Sequence, residues 1–367
     1  MLPPFKLERY FARHEFHVKH LLCASDCESV SVADLLALEP KAAPRLNRMR
    51  LGYTESSGNP QLRQTVAATY ETLQPDQILI HSGAEEAIFL FMQAALAPGD
   101  HVIVHWPCYQ SLAEVARAIG CQVSLWKARE ESRWQPDTAE LETLFRPETR
   151  AVILNTPHNP TGALLDRQNY LELVKMTEAR GIILFSDEVY RGSEYHVGDR
   201  LPSASDLGRG AVALGVMSKT YGLAGLRIGW IATHNRQIYD KMAALKDYTT
   251  ICNSAPSEFL AEIALRHHEV LADRNRGIIC SNLALLDDFL QRHGDRFTWQ
   301  RPQAGPIAFP RLLGEKVDSF CARLVKEAGV LLLPGTVYDH DGNHFRIGFG
   351  RRDFPQALNR LEEFLTS

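Results

Sequence analysis

Residues 211–230 read AVALGVMSKTYGLAGLRIGW, and the reading of this stretch decides the fold. The apolar run Ala211–Met217 has the length and composition of a buried strand. It hands Ser218 and Lys219 to a loop that carries Gly222, Gly225 and Gly229, with Arg227 between the last two. A lysine sheltered at a strand end has its pKa lowered, which makes its amine a usable nucleophile toward a carbonyl. Arg227 stands where glycines let the backbone approach a ligand closely, and a guanidinium there suits a phosphate.

One ligand that offers both an aldehyde and a phosphate is pyridoxal 5'-phosphate (PLP). The glycines after Lys219 do not fall as the GxGxxG that opens a dinucleotide-binding helix, so a Rossmann reading is weaker. The stretches upstream supply its partners. From Gln77 strands and helices alternate: QILIHS, then a helix at EEAIFLFMQAAL; HVIVHW, then a helix ending at Gly120; then CQVSLW, AVILNT, a helix at RQNYLELVKMTEAR, IILFSDE, AVALGVM and RIGWIAT. This order predicts an α/β fold with a mainly parallel sheet flanked by helices. Ligands in such sheets bind beyond the carboxyl ends of the strands, where the polar residues of interest fall.

At each of those ends the residue types suit a phosphorylated pyridine. SGAEEA (82–87) joins a strand to a helix, and helix N-terminal amides favour an anion. Tyr109, after HVIVHW, can cover a heterocycle. Asn159, in the proline-fixed loop NTPHNPTG (155–162), can donate to a ring oxygen. Asp187, in SDEVY, is an acid at the end of a buried strand; it needs a positive charge, which a protonated pyridine nitrogen supplies. Tyr190 lies three residues on and can reach the same ring oxygen as Asn159. Arg346, in FRIGFGR (345–351), can hold a substrate carboxylate through two parallel hydrogen bonds.

The rest of the chain bounds the reading. At 367 residues it is long enough for two domains, and after about Pro256 the pattern changes to long helices and short strands. Expected units are residues 1–45 as an N-terminal arm joined to the small domain, 46–270 as a large PLP-binding domain, and 271–367 as a smaller α+β domain. Asn59 before Pro60 marks a helix start, with Leu62, Val66, Tyr70 and Leu73 on one face. The net charge of −4 argues against nucleic acid or an anionic membrane as the main partner. No apolar run has the roughly 20 residues of a spanning helix, and the charged N-terminus is unlike a signal peptide, so a cytoplasmic protein is expected. The seven cysteines are scattered with no CxxC pair, and no His/Cys set has zinc-site spacing; no metal is expected.

Taken in order, SGAEEA, PCY, NTPHNPTG, SDEVY, SKTYGLAGLRIG and FRIGF resemble the fold-type I, class I/II aminotransferases of the aspartate aminotransferase superfamily over nearly the whole chain. The resemblance implies Lys219 as the Schiff-base lysine, Asp187 as partner of the pyridine nitrogen, Asn159 and Tyr190 as ring-oxygen contacts, and Tyr109 as the stacking aromatic. Gly83, Ala84 and Glu85 would supply phosphate amides, Ser218 and Arg227 phosphate side chains, and Arg346 the carboxylate clamp. Tyr53, in GYTESSGNPQLR, matches a tyrosine that reaches the phosphate of a neighbouring subunit, which implies a homodimer with shared active sites. The implied reaction moves an amino group from an L-amino acid to a 2-oxo acid.

Two departures bear on this. Val216 and Ala84 stand where many relatives carry side-chain donors, which shifts the expected phosphate binding toward Arg227, Ser218 and Tyr53. Ala24-Ser25-Asp26-Cys27-Glu28 stands where many relatives have a glycine-centred turn facing the substrate. Asp26 or Glu28 there would favour a cationic substrate side chain, arginine or a derivative. RPQAGPIAFPRL and VLLLPGTVY are also weakly similar to the capreomycidine synthase branch, and the same site residues would serve a PLP lyase or cyclase acting on such a substrate.

Overall fold

The computed structural model describes residues 2–366. Its centre is a seven-stranded sheet built from β1 (Ile78–His81), β2 (His101–Trp106), β3 (Gln122–Lys127), β4 (Thr149–Asn155), β5 (Ile183–Asp187), β6 (Val212–Val216) and β7 (Gly229–Thr233). The strand order is β1-β7-β6-β5-β4-β2-β3. All neighbouring pairs are parallel except those made by β7, which is antiparallel to both β6 and β1. Strands β1, β5, β6 and β7 are buried at every residue, as expected where helices cover both faces.

The antiparallel strand has a consequence for the site. Val216 pairs with Gly229 and His81 pairs with Gly229, so the loop between β6 and β7 opens at the same edge as the carboxyl ends of β1, β4 and β5. Lys219 and Arg227 are thereby carried to the edge where Asp187, Asn155 and the 82–86 turn already lie.

Local chemistry sets the helix starts. Asn59 Oδ1 accepts from the amides of Gln61 and Leu62, and Pro60 takes the first helical position of Pro60–Ala67. Tyr70 lies past the end of that helix, although Leu62, Val66 and Leu73 are buried as their spacing implies. Ser31 caps Val32–Ala37 through the Asp34 amide. At α1 (Lys6–His14) no side chain caps the start. The helix α2 (Ala84–Ala95) follows β1 and packs Leu90, Phe91 and Ala94 into the sheet's core with Val104, Phe185 and Leu214.

A second core gathers the C-terminal part. Leu283, Phe320, Phe345 and Leu361 pack there with Leu22 and Cys27 of the N-terminal segment, and burial of each large side chain is worth about 1.5–3 kcal/mol. His20–Leu21 pairs in parallel with Val330–Leu331, so the chain's beginning is stitched to its end. The helix His268–Arg292 runs continuously through position 270; Leu271 packs with Leu62 and Phe259, and Ile279 with the C-terminal core. Strand β8 (Phe345–Gly348) lies between Ile307–Ala308 and Leu333–Pro334, antiparallel to both, and presents Arg346. Among the described residues no helix is long and apolar enough to cross a membrane, and no group of three or more His, Cys, Asp or Glu is placed to hold a metal ion.

Candidate active site

A cavity of about 420 Å³ opens at the carboxyl edge of the sheet, and Ala84, Glu85, Tyr109, Asn159, Asp187, Tyr190, Ser218, Lys219, Arg227 and Arg346 all line it. Residues from six separate motifs therefore meet at one place.

At one end the 82–86 turn and Arg227 form a cradle. Gly83 has φ +83°, and a Cβ built there would stand 2.6 Å from Arg227 Nη2; one built on Gly229 would stand 3.1 Å from the Ala84 nitrogen. Only glycines allow this approach of backbone to guanidinium. The Gly83 amide donates to His81 O at 2.9 Å, and Ala84 and Glu85 follow at the start of α2. Glu86 holds the turn by accepting from the Ser82 amide at 2.6 Å. The Glu85 carboxyl accepts from Ser111 Oγ at 3.1 Å, and burial pushes its pKa up to about 7, which lowers its negative charge beside an anion site.

Asp187, 5% exposed, lines the same cavity. Burial raises its pKa to about 7, and the Val189 amide, 3.2 Å from Oδ1, offsets only part of that. A buried carboxyl held this far from its usual range is satisfied by a cationic N–H. Asn155 fixes the neighbouring strand ends: its Nδ2 donates to Asp187 O at 3.0 Å and its Oδ1 accepts from the Asn159 amide at 2.7 Å. Asn159 Oδ1 accepts from Tyr338 Oη (3.1 Å) and Arg346 Nη1 (3.2 Å), which leaves its Nδ2 without a hydrogen-bond partner among the described residues.

Lys219, partly buried, donates from Nζ to Ser25 Oγ at 2.9 Å, and burial lowers its pKa. Tyr190 Oη donates to Ser25 O at 3.1 Å, and Tyr109 Oη donates to Glu8 Oε1 at 3.2 Å. Arg346 is 1% exposed; its Nη1 donates to Tyr338 Oη at 2.6 Å. The cradle, the buried acid and the lysine line one cavity and fit PLP, whose phosphate Arg227 and the start of α2 would hold and whose ring nitrogen Asp187 would meet.

Two expected residues behave differently. Tyr53 is 92% exposed and stands outside its own chain's cavity, as a residue offered to a neighbouring copy would. Asp26 lines the cavity, but Arg351 holds both its oxygens, at 2.9 and 3.0 Å, so its charge is already matched within the chain. Ser25, Asn155, Tyr338, Arg351 and the α1 residues Glu8 and Phe11 were not singled out from sequence. Ser25, Asn155, Tyr338 and Arg351 sit inside stretches that were read, whereas nothing local to α1 marks it as a cavity wall.

The chain is similar to known proteins over nearly its whole length. The family description "Aminotransferase class I and II" matches residues 21–360. The chain is 28% identical over 369 residues to capreomycidine synthase of Streptomyces vinaceus, covering 99% of this chain and 94% of that protein. It is 31% identical over 342 residues to valine–pyruvate aminotransferase of Mycobacterium tuberculosis, covering 89% and 86%. A crystal structure of a PLP-dependent aminotransferase from Streptococcus suis superposes with a TM-score of 0.94 at 33% identity, covering 100% of this chain and 98% of that one.

Proposed function

The chain belongs to the class I and II aminotransferases, enzymes that depend on PLP, and from that premise we propose that it moves an amino group from an L-amino acid to a 2-oxo acid through a Schiff base on Lys219. The observation that carries this reading is the meeting of Lys219, Asp187, Arg227 and Arg346 around one cavity.

PLP, when bound, supplies an electron sink for the bond broken at the substrate Cα. The protein's part is binding, orientation and proton transfer. Arg227, Ser218 and the amides of Ala84 and Glu85 would hold the phosphate, Tyr109 would cover one ring face, and Asn159 Nδ2 would reach the ring oxygen, joined by Tyr190 once its hydroxyl turns from Ser25 O. Asp187, ionised by a cationic partner, keeps the ring nitrogen protonated. Arg346 holds the α-carboxylate, and that fixes which Cα bond stands across the ring. Lys219, whose amine burial makes easier to deprotonate, would take the proton from the substrate Cα and give it back as the amino group is transferred. Two copies of the chain share their sites, each lending Tyr53 to the other's phosphate.

A second reading is a PLP-dependent cyclase or lyase that acts on an arginine-like amino acid. The cavity wall supplied by α1 and the segment after it favours it. Glu8 and Glu15 line the cavity, and the Glu15 carboxylate has no hydrogen-bond partner among the described residues. Arg351 acts on both acids, but its hydrogen bonds go to Asp26, which leaves Glu15 as the acid that a guanidinium or ammonium side chain would meet.

Mixing purified holoenzyme with single amino acids, arginine and hydroxyarginine among them, without any 2-oxo acid separates the readings. Stoichiometric 2-oxo acid with pyridoxamine phosphate, both seen by mass spectrometry, is expected of a transaminase. Repeated turnover with the cofactor's absorbance restored would replace it by the second reading.

A further inference from the structure

Ser25 Oγ is the one hydrogen-bond partner of Lys219 Nζ among the described residues, although the two lie 194 residues apart. Residues 22–28 cross the cavity as an extended strap, and its path is set at both ends by backbone. The Gly348 amide donates to Leu22 O at 2.8 Å, and the Glu28 amide donates to Gly350 O at 2.8 Å. Three glycines make room for it. A Cβ on Gly348 would stand 1.9 Å from Ala24 O, one on Gly350 2.6 Å from Asp26 O, and one on Gly222 2.5 Å from Glu28 O. Asp26 is tied down by Arg351, and Ser25 O by Tyr190.

Ser25 is thus held by its neighbours and its own carbonyl, with its hydroxyl left to Lys219. We propose that Ser25 is a positioning residue for Lys219: its oxygen takes one N–H of the free amine and so turns the nitrogen lone pair toward the substrate Cα. A neutral amine on a flexible stem has three staggered settings about its last bond. Fixing one N–H selects among them, and geometry of this kind is a large part of what positions a base for proton transfer. The inference rests on the reading of Lys219 as the lysine that bears the cofactor and moves the Cα proton.

The test compares Ser25→Ala, Ser25→Gly and Ser25→Thr in the full-length protein. Cofactor content is measured after borohydride reduction onto Lys219, kcat and KM are measured separately, and the cofactor-stripped protein is acetylated at limiting reagent across pH, with Lys219 read by mass spectrometry. Asp26, Asp187, Arg346 and Cys27 also act on this amine and are unchanged in all three variants. The expected result is native cofactor content and KM, a kcat about tenfold lower or worse in the Ala and Gly variants, a displaced Lys219 labelling profile in both, and recovery of most of kcat in the Thr variant. Unaltered kcat or an unaltered labelling profile in the Ala and Gly variants would overturn the inference, as would a Thr variant no better than Ala. Failure of the native protein itself to take cofactor onto Lys219 would instead remove the proposed function beneath it.

Discussion

Arg346 donates through Nε and Nη2 to the single carbonyl oxygen of Cys23, at 3.2 and 2.7 Å, across 323 residues of chain. The forked side of the guanidinium therefore already grips one oxygen in the plane a carboxylate would use, and Asn159 and Tyr338 fix its other edge.

Replacing this fork is the first prediction. Arg346→Lys keeps the charge but not the planar pair of donors, and a lost charge-assisted hydrogen bond is worth about 1.5–3 kcal/mol. KM for the amino acid is expected to rise roughly tenfold to a hundredfold by that measure. Cofactor content should stay native; a variant that loses cofactor in parallel would show Arg346 to be part of the cofactor's own site.

The phosphate cradle makes the second. Arg227→Ala removes the guanidinium against Gly83, and Gly83→Ala drives a methyl into it at a φ of +83°. Each is expected to weaken PLP binding about tenfold or more, read by titrating stripped protein with PLP and following absorbance. Equal affinities in native and variant proteins would place the phosphate elsewhere.

A third concerns pH. Burial raises the pKa of Asp187 in the folded chain to about 7, above the ordinary aspartate range near 4, so the folded, cofactor-stripped chain binds its proton more tightly than the unfolded chain. Stability from this group is then full below about pH 4 and is lost as pH rises toward 7, by up to about 4 kcal/mol. Glu85 adds to the same trend. Thermal midpoints of stripped protein at pH 5 and 8 should differ more for the native chain than for Asp187→Asn. PLP should narrow the native difference by giving the carboxylate a cation, and identical slopes in both proteins would contradict the assignment.

Shared sites give the fourth. Lys219→Ala and Tyr53→Ala are each expected to be severely impaired as pure proteins. Mixed and re-associated, each heterodimer holds one site with an intact Lys219 and an intact Tyr53 from the other copy, so activity should recover to about half the native value per heterodimer. No recovery on mixing, with heterodimers shown to form, would sink the idea that Tyr53 crosses between copies.

What the sequence determined by itself is the local part. Alternation of apolar strands with amphipathic helices has a period that reads directly, and each turn after a strand carries its chemistry within a few residues: Lys219 after β6, Asp187 at the end of β5, Asn159 after β4, Ala84 and Glu85 after β1. Because strand ends in a largely parallel sheet converge on one edge, reading the motifs was nearly enough to assemble half the site. The antiparallel β7 was not legible, since a strand's direction depends on what it pairs with.

The other half came from tertiary structure. Ser25 on Lys219, Cys23 on Arg346, Asp26 on Arg351 and Glu8 on Tyr109 join positions between 101 and 325 residues apart. Within residues 5–28 only Ala24–Glu28 is placed near the substrate, and that by resemblance; nothing in residues 5–23 marks them as a wall of the cavity. Chain closure over such spans costs little more than over shorter ones, so the choice of contact lies in the packing of β8 and its glycines against the strap. For the same reason Asp26, which looks in sequence like a free acid for a cationic substrate, is a matched charge in the fold.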